Sequence, residues 1–156
     1  GRYIVGNNGI LVSKVIYEKY NKDKRFCIVD AAMNDLLRPS LYNAKHGIRH
    51  ISMNNEIVEI PPLLKDKNDF IDKADIVGPI CESGDYLAKN IALPPTKSGD
   101  LIVIESAGAY GFSMSSNYNS RTKCAEVALS GGKDRLICKR ESFEDLIANE
   151  KPYLGE

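Results

Sequence analysis

A thiol and a carboxylate stand side by side at Cys81-Glu82, inside the run Gly78-Pro79-Ile80-Cys81-Glu82-Ser83-Gly84-Asp85. Glycine, proline and serine make a sharp loop there, which displays both groups together. A thiol gives or takes a proton near neutral pH when its surroundings tune it, so Cys81 is a candidate acid beside an anionic reader, Glu82. The plain alternative is a buried, inert cysteine next to a solvated glutamate. A thiol protease would need a histidine partner; only His46 and His50 are available, both close to an expected strand start, and that reading is set aside.

Two further stretches combine turn chemistry with functional side chains. In residues 33–42, Arg38 and Tyr42 sit four apart and share a face if the turn is helical. A planar guanidinium donates two parallel bonds to a carboxylate and a phenol adds a third, although a surface ion pair beside a half-buried tyrosine is the plain alternative. In residues 105–119, the run Gly108-Ala109-Tyr110-Gly111 surrounds a phenol with small residues that let it and the backbone approach a ligand. A structural glycine-rich turn with a packed tyrosine is the other possibility.

The elements that must carry these loops are mostly strands. Residues 2–20 alternate, are rich in Val, Ile and Tyr, and are interrupted at Gly6 and Gly9, so they read as strand, bend, strand. Further strands are expected over residues 25–31, 48–53, 56–60, 74–77 and 101–105. Asn34 is placed to cap a brief helical turn that Pro39 stops. Pro61-Pro62 and the charged residues 65–69 read as a loop. Residues 123–129 and 135–139, joined at Gly131-Gly132, form a hairpin, and Ser142 caps a closing helix over 142–150. Many short strands and a few short helices define a mainly β domain of barrel or sandwich type.

Composition narrows the function classes. A chain of 156 residues lies near the size of one domain with its own core, and a single unit is expected over residues 1–156. Lys plus Arg and Asp plus Glu are 21 each, which leaves no basic footprint for nucleic acid. Apolar runs such as residues 101–104 fall far short of the roughly 20 residues that cross a bilayer, so no membrane partner is expected. Four cysteines without a C-x-x-C pair point to a reduced, cytoplasmic protein with no metal site. Opening at Gly1-Arg2 without an initiator methionine, the sequence reads as a fragment.

In order along the chain, Arg38-Pro39-x-x-Tyr42, Cys81-Glu82-Ser83-Gly84-Asp85 and Gly108-Ala109-Tyr110-Gly111, followed by Ser115-Ser116-Asn117-Tyr118-Asn119, resemble diaminopimelate decarboxylase, a family of fold type III pyridoxal-phosphate enzymes. Gly1-Arg2 resembles the end of that family's Glu-Pro-Gly-Arg motif. The resemblance implies a carboxy-terminal β domain of the alanine racemase and decarboxylase type, with residues 1–5 as the tail of an absent (β/α)8 barrel. It implies removal of the carboxylate at the D centre of meso-diaminopimelate to give L-lysine, the last step of lysine biosynthesis, with pyridoxal 5'-phosphate as cofactor.

The same resemblance assigns roles to residues. Arg2, Arg38 and Tyr42 bind substrate carboxylate, Tyr110 lies against cofactor and substrate, and Gly1 and Arg2 border the cofactor. Glu82 reads the distal amino group, and Cys81 protonates the carbanionic centre; both reach the site from the neighbouring subunit of a homodimer. The attachment lysine, the histidine that stacks on the cofactor and the phosphate loop match nothing in this sequence, so the chain alone is expected to be inactive. An ornithine or arginine decarboxylase would carry aspartate after the cysteine, where Glu82 stands. A non-catalytic interaction module is the reading from another class.

Overall fold

The computed structural model describes residues 1–60 and 73–155, which form two compact units, Gly1–Ser115 and Ser116–Glu156. The loop expected over residues 61–69 lies outside the described residues.

The first unit is a seven-stranded sheet in the order β4-β3-β7-β1-β2-β5-β6. Its organiser is β1 (Leu11–Asn21), whose first residues pair with β7 (Leu101–Ile104) while the remainder pairs with β2 (Lys24–Val29). A register shift between Val15 and Tyr17 lets one strand serve both halves, because a bulge bends the strand and raises its twist. Outside β7 lie β3 (Ile48–Ile51) and β4 (Ile57–Ile60), both antiparallel; outside β2 lie β5 (Lys73–Val77), which runs parallel to it, and β6 (Tyr86–Ala92). Val15, Cys27, Ile76, Leu87, Ile102 and Ile104 interlock as the core, each almost inaccessible to solvent.

The expectation of a mainly β fold with few short helices is met. Two local expectations are corrected, and one strand, β6, is an addition to those expected. Residues 2–5 are not strand but a one-turn helix, α1 (Arg2–Val5), followed by a 3-10 turn over Gly6–Asn8. Alternation alone does not make a strand there, because β7 is already paired on both sides, with β1 and β3. Pro39 does not stop a helix but opens one: α2 (Arg38–Tyr42) holds proline in its first turn, where a missing N–H costs nothing, and ends at Asn43 with φ of 51°. β6 carries no strong alternating apolar pattern, and it forms because β5 offers it an edge.

The second unit is a hairpin followed by a short helix. β8 (Glu126–Ser130) and β9 (Lys133–Cys138) turn at Gly131-Gly132, where φ values of 58° and 73° meet the requirement of a two-residue turn for positive φ at both positions. The closing helix is shorter than expected: α3 (Phe143–Leu146) begins with a reciprocal cap between Ser142 and Asp145, and turns continue to residue 150.

Candidate active site

After β2 the chain has to leave the sheet and deliver residues 33–42 in a defined shape. Asp30 begins this by accepting the hydroxyl of Ser13 at 2.7 Å and the N–H of Lys14 at 2.8 Å, while Ser13 Oγ accepts the N–H of Ala31 at 2.9 Å. Asp35 then accepts the N–H of Ala32 at 2.9 Å, and the fully buried Leu36 anchors the segment in the core. Arg38 follows directly on this anchor, so its backbone is fixed before its side chain extends.

The loop after β5 is fastened to the same segment by Asp85, which is buried. Its Oδ1 accepts the N–H of Met33 at 2.8 Å and its Oδ2 the N–H of Ile80 at 3.0 Å. Gly78 has to be glycine for this: a Cβ there would lie 2.6 Å from Asp85 Oδ1. From α2, Ser40 donates its hydroxyl to the carbonyl of Gly84, with the Tyr86 carbonyl 3.4 Å away. Thus the loop bearing Cys81 and Glu82 and the helix bearing Arg38 and Tyr42 form one bonded assembly. Glu82 Oε1 accepts the N–H of Gly84 at 3.0 Å and the hydroxyl of Ser83 at 3.1 Å, and the Cys81 thiol is exposed.

The loop after β7 completes the group. Tyr110 adopts φ of 59°, a left-handed backbone made possible by close packing around it: Ala107 N–H bonds the Gly9 carbonyl at 2.8 Å and Gly108 N–H the Gly6 carbonyl at 3.0 Å. A Cβ on Gly9 would come within 2.6 Å of Gly108 Cα, so both glycines are needed for the N-terminal segment to seat here. The consequence is a stack. Arg38 Cζ lies 5.4 Å from the ring centre of Tyr42 and 5.7 Å from that of Tyr110, so one guanidinium stands over two exposed or half-exposed phenols.

Three of the expected residues, Arg38, Tyr42 and Tyr110, are therefore brought together. Cys81 and Glu82 stand on the adjoining loop. Arg2 is exposed on α1, and Gly1 precedes it in the open, its carbonyl accepting the N–H groups of Ile4 at 3.0 Å and Val5 at 3.2 Å. Arg2 and Arg38 share a neighbour that the motif reading passed over. His46 is buried, and its Nδ1 lies 2.8 Å from the Glu105 carbonyl; burial first, and then the two guanidinium charges, hold its pKa below the ordinary value against the pull of that carbonyl. Asp85, Ser40 and His46 were legible only as an acid among glycines, a serine after a proline and one of two histidines, signals too common to single out. Among the described residues no group of His, Cys, Asp and Glu could hold a metal ion.

The chemistry of this assembly is that of a half-site: cationic donors backed by phenols on one side, a carboxylate and an accessible thiol on the other. A family model described as the pyridoxal-dependent decarboxylase C-terminal sheet domain matches residues 2–108. The chain belongs to this family. Among curated pyridoxal-dependent relatives, the diaminopimelate decarboxylase of Campylobacter jejuni is 52% identical over 154 residues, covering 99% of this chain and 35% of that protein. The crystal structure of the Helicobacter pylori diaminopimelate decarboxylase complexed with L-lysine is 50% identical with a TM-score of 0.82, covering 99% of this chain and 34% of that one. The crystal structure of diaminopimelate decarboxylase from m. jannaschii in co-complex with L-lysine is 34% identical with a TM-score of 0.80, covering 99% of this chain and 33% of that one. The chain thus spans about a third of the length of these decarboxylases. A lysine/ornithine decarboxylase from Vibrio vulnificus, 20% identical with a TM-score of 0.62, shares the fold.

Proposed function

We propose that this chain is the substrate-recognition and dimer-forming part of a diaminopimelate decarboxylase that converts meso-2,6-diaminopimelate to L-lysine and carbon dioxide in the cytoplasm. The observation that carries the reading is the Arg38 guanidinium standing over both the Tyr42 and the Tyr110 ring. Two motifs far apart in the sequence meet there, and they meet as a flat, fully charged donor of the kind that grips a carboxylate by two bonds. Arg2 is a second cation, and it and Arg38 both act through space on His46.

A substrate with an amino-acid group at each end needs readers of both signs. Arg38, Arg2 and Tyr42 take a carboxylate, and Glu82 takes the distal ammonium group. Cys81 holds a proton at Sγ and delivers it to the carbon that has lost carbon dioxide, which requires an accessible thiol; that of Cys81 is exposed. In this reading Cys81 and Glu82 complete the pocket of a second copy, so catalysis needs a homodimer.

The residues present fit one side of pyridoxal 5'-phosphate. Tyr110 stands half-exposed on a glycine-flanked turn whose closeness is real: a Cβ on Gly9 would meet Gly108, and one on Gly111 the Ala107 carbonyl. Tyr110, with Gly1 and Arg2, would border the cofactor, whose attachment lysine belongs to the barrel outside this chain. When bound, the cofactor supplies the electron sink for the bond that breaks.

The test is made in the full-length enzyme. Arg38→Ala removes a charge-assisted contact to the carboxylate and is expected to raise KM for diaminopimelate by about 10-fold to 100-fold. Cys81→Ser is expected to lower kcat by about 100-fold or more with KM little changed. Unchanged kinetics in both variants would remove the reading.

A further inference from the structure

His46 has no role in the half-site described above, yet its surroundings constrain it tightly. The residue is 6% exposed and lies between α2 and β3. Its Nδ1 faces the Glu105 carbonyl oxygen at 2.8 Å. A carbonyl only accepts, so Nδ1 carries the hydrogen, and in the neutral ring Nε2 is left as a bare lone pair. That Nε2 is buried and has no partner among the described residues. The Nε–H of Arg38 is also buried without a partner among them, and it is a donor. An orphan acceptor and an orphan donor thus occur on one short stretch of chain. Both guanidinium groups of the half-site, Arg2 and Arg38, act on the ring through space, and both favour its neutral form.

Buried polar groups are costly unless they are paired, and these two are complementary. Resting on the reading of Arg38 as a carboxylate binder, we propose that His46 is a positioning residue whose Nε2 accepts the Nε–H of Arg38 when a carboxylate is bound. With Nε engaged on the inner side and the plane held by Tyr42 and Tyr110, the guanidinium presents its two Nη groups outward as the fork that grips the ligand. The ring acts on the ligand only through Arg38. Its effect is therefore confined to ligands that carry a carboxylate at that position.

That confinement gives the experiment. The full-length enzyme is loaded with pyridoxal 5'-phosphate, and the dissociation constants of L-lysine and of 1,5-diaminopentane, the same chain without the carboxylate, are measured for wild type and variants. His46→Asn keeps a donor for the Glu105 carbonyl and removes the acceptor at the Nε2 position; His46→Gln restores an acceptor near it. His46→Asn is expected to weaken L-lysine by about tenfold, the worth of one charge-assisted hydrogen bond, and to leave 1,5-diaminopentane within about twofold. His46→Gln is expected to recover most of the loss, and His46→Asn added to Arg38→Ala to cost nothing more.

An unchanged L-lysine affinity in His46→Asn, or an equal loss for both ligands, overturns the inference. If His46→Asn melts before assay, His46→Ala replaces it beside His46→Gln. L-lysine weakened about tenfold in His46→Ala and back within about threefold of wild type in His46→Gln then supports the inference, and an unchanged L-lysine affinity in His46→Ala or an equal loss for both ligands overturns it. A wild-type enzyme that does not bind L-lysine defeats the functional reading itself, whereas normal binding with an indifferent His46 defeats only the positioning role.

Discussion

Two cysteines of this chain show how environment rather than residue type decides chemistry. Cys27 is fully buried, and burial, offset in part by its 3.5 Å contact with the Thr96 hydroxyl, pushes its thiol above the ordinary range. Cys81 is exposed on a loop. Thiolate is the reactive form, so brief treatment of the native protein with a maleimide, followed by peptide mass spectrometry, is expected to label Cys81 and spare Cys27. Labelling of both at equal rates would contradict the placement of Cys27. Asp85 illustrates the same point for a carboxylate. It accepts two backbone N–H groups from separate loops, and Asp85→Ala orphans both, at a cost of about 2 kcal/mol or more in chemical denaturation. Because those loops carry Cys81 and residues 33–42, kcat and KM of the full-length enzyme are expected to worsen together.

At the scale of elements, local chemistry is sufficient in the second unit. Gly131 and Gly132 hold positive φ with open space around them, so substitution acts through backbone strain alone. Replacing each with alanine is expected to cost about 1 kcal/mol, visible as loss of the hairpin signal in hydrogen exchange. The cap of α3 responds to pH. Asp145 is held down to about 2, chiefly by the backbone N–H of Ser142 and then by Lys139 and the Ser142 hydroxyl. Since the folded value lies below the unfolded one, the stabilisation is complete above the ordinary carboxylate range and disappears as pH falls toward 2. Amide exchange across residues 142–146 is expected to stay slow at pH 4 and to accelerate near pH 2, and Asp145→Asn to accelerate it at pH 4 and above with the difference shrinking toward pH 2.

For the first unit as a whole, stability depends on charges buried far from the half-site. Arg25, 1% exposed, bonds Glu18 at 2.8 Å and the Leu93 and Pro94 carbonyls, and Glu18 in turn accepts the N–H of Thr96 at 2.8 Å and its hydroxyl at 2.6 Å. This network ties residues 93–96 to β1 and β2. On the other half of the sheet His50 and Asp100 face each other at 2.8 Å, both buried. Burial opposes the Asp100 charge, but His50 and the N–H groups of Lys97 and Met53 outweigh it and hold the carboxyl below its ordinary range. Its contribution is present above the ordinary carboxylate pKa and is lost in stronger acid, as pH falls through the lowered value. Asp100→Asn is therefore expected to destabilise the chain by about 1–3 kcal/mol near neutral pH and by progressively less in acid, read from urea titrations across pH. A pH-independent difference would show that the charge is not what matters.

The sequence by itself determined the features that one stretch of chain can enforce: the Gly-Gly hairpin turn, the Ser142 cap, most strands, and the three motifs with their order. These follow from dihedral preferences and from alternation over a few residues, which need no distant partner. Its errors are of the opposite kind. Residues 2–5 alternate like a strand yet form a helical turn, since β7 is already paired on both sides, and Pro39 opens a helix because Leu36 and the Asp85 bond to Met33 have already set the direction of the chain. Only the tertiary structure brought Tyr110 onto Arg38, fastened the Cys81 loop to α2, and buried His46 beside two arginines. Such meetings are paid for by packing summed over the whole core, and no window of neighbouring residues contains that sum.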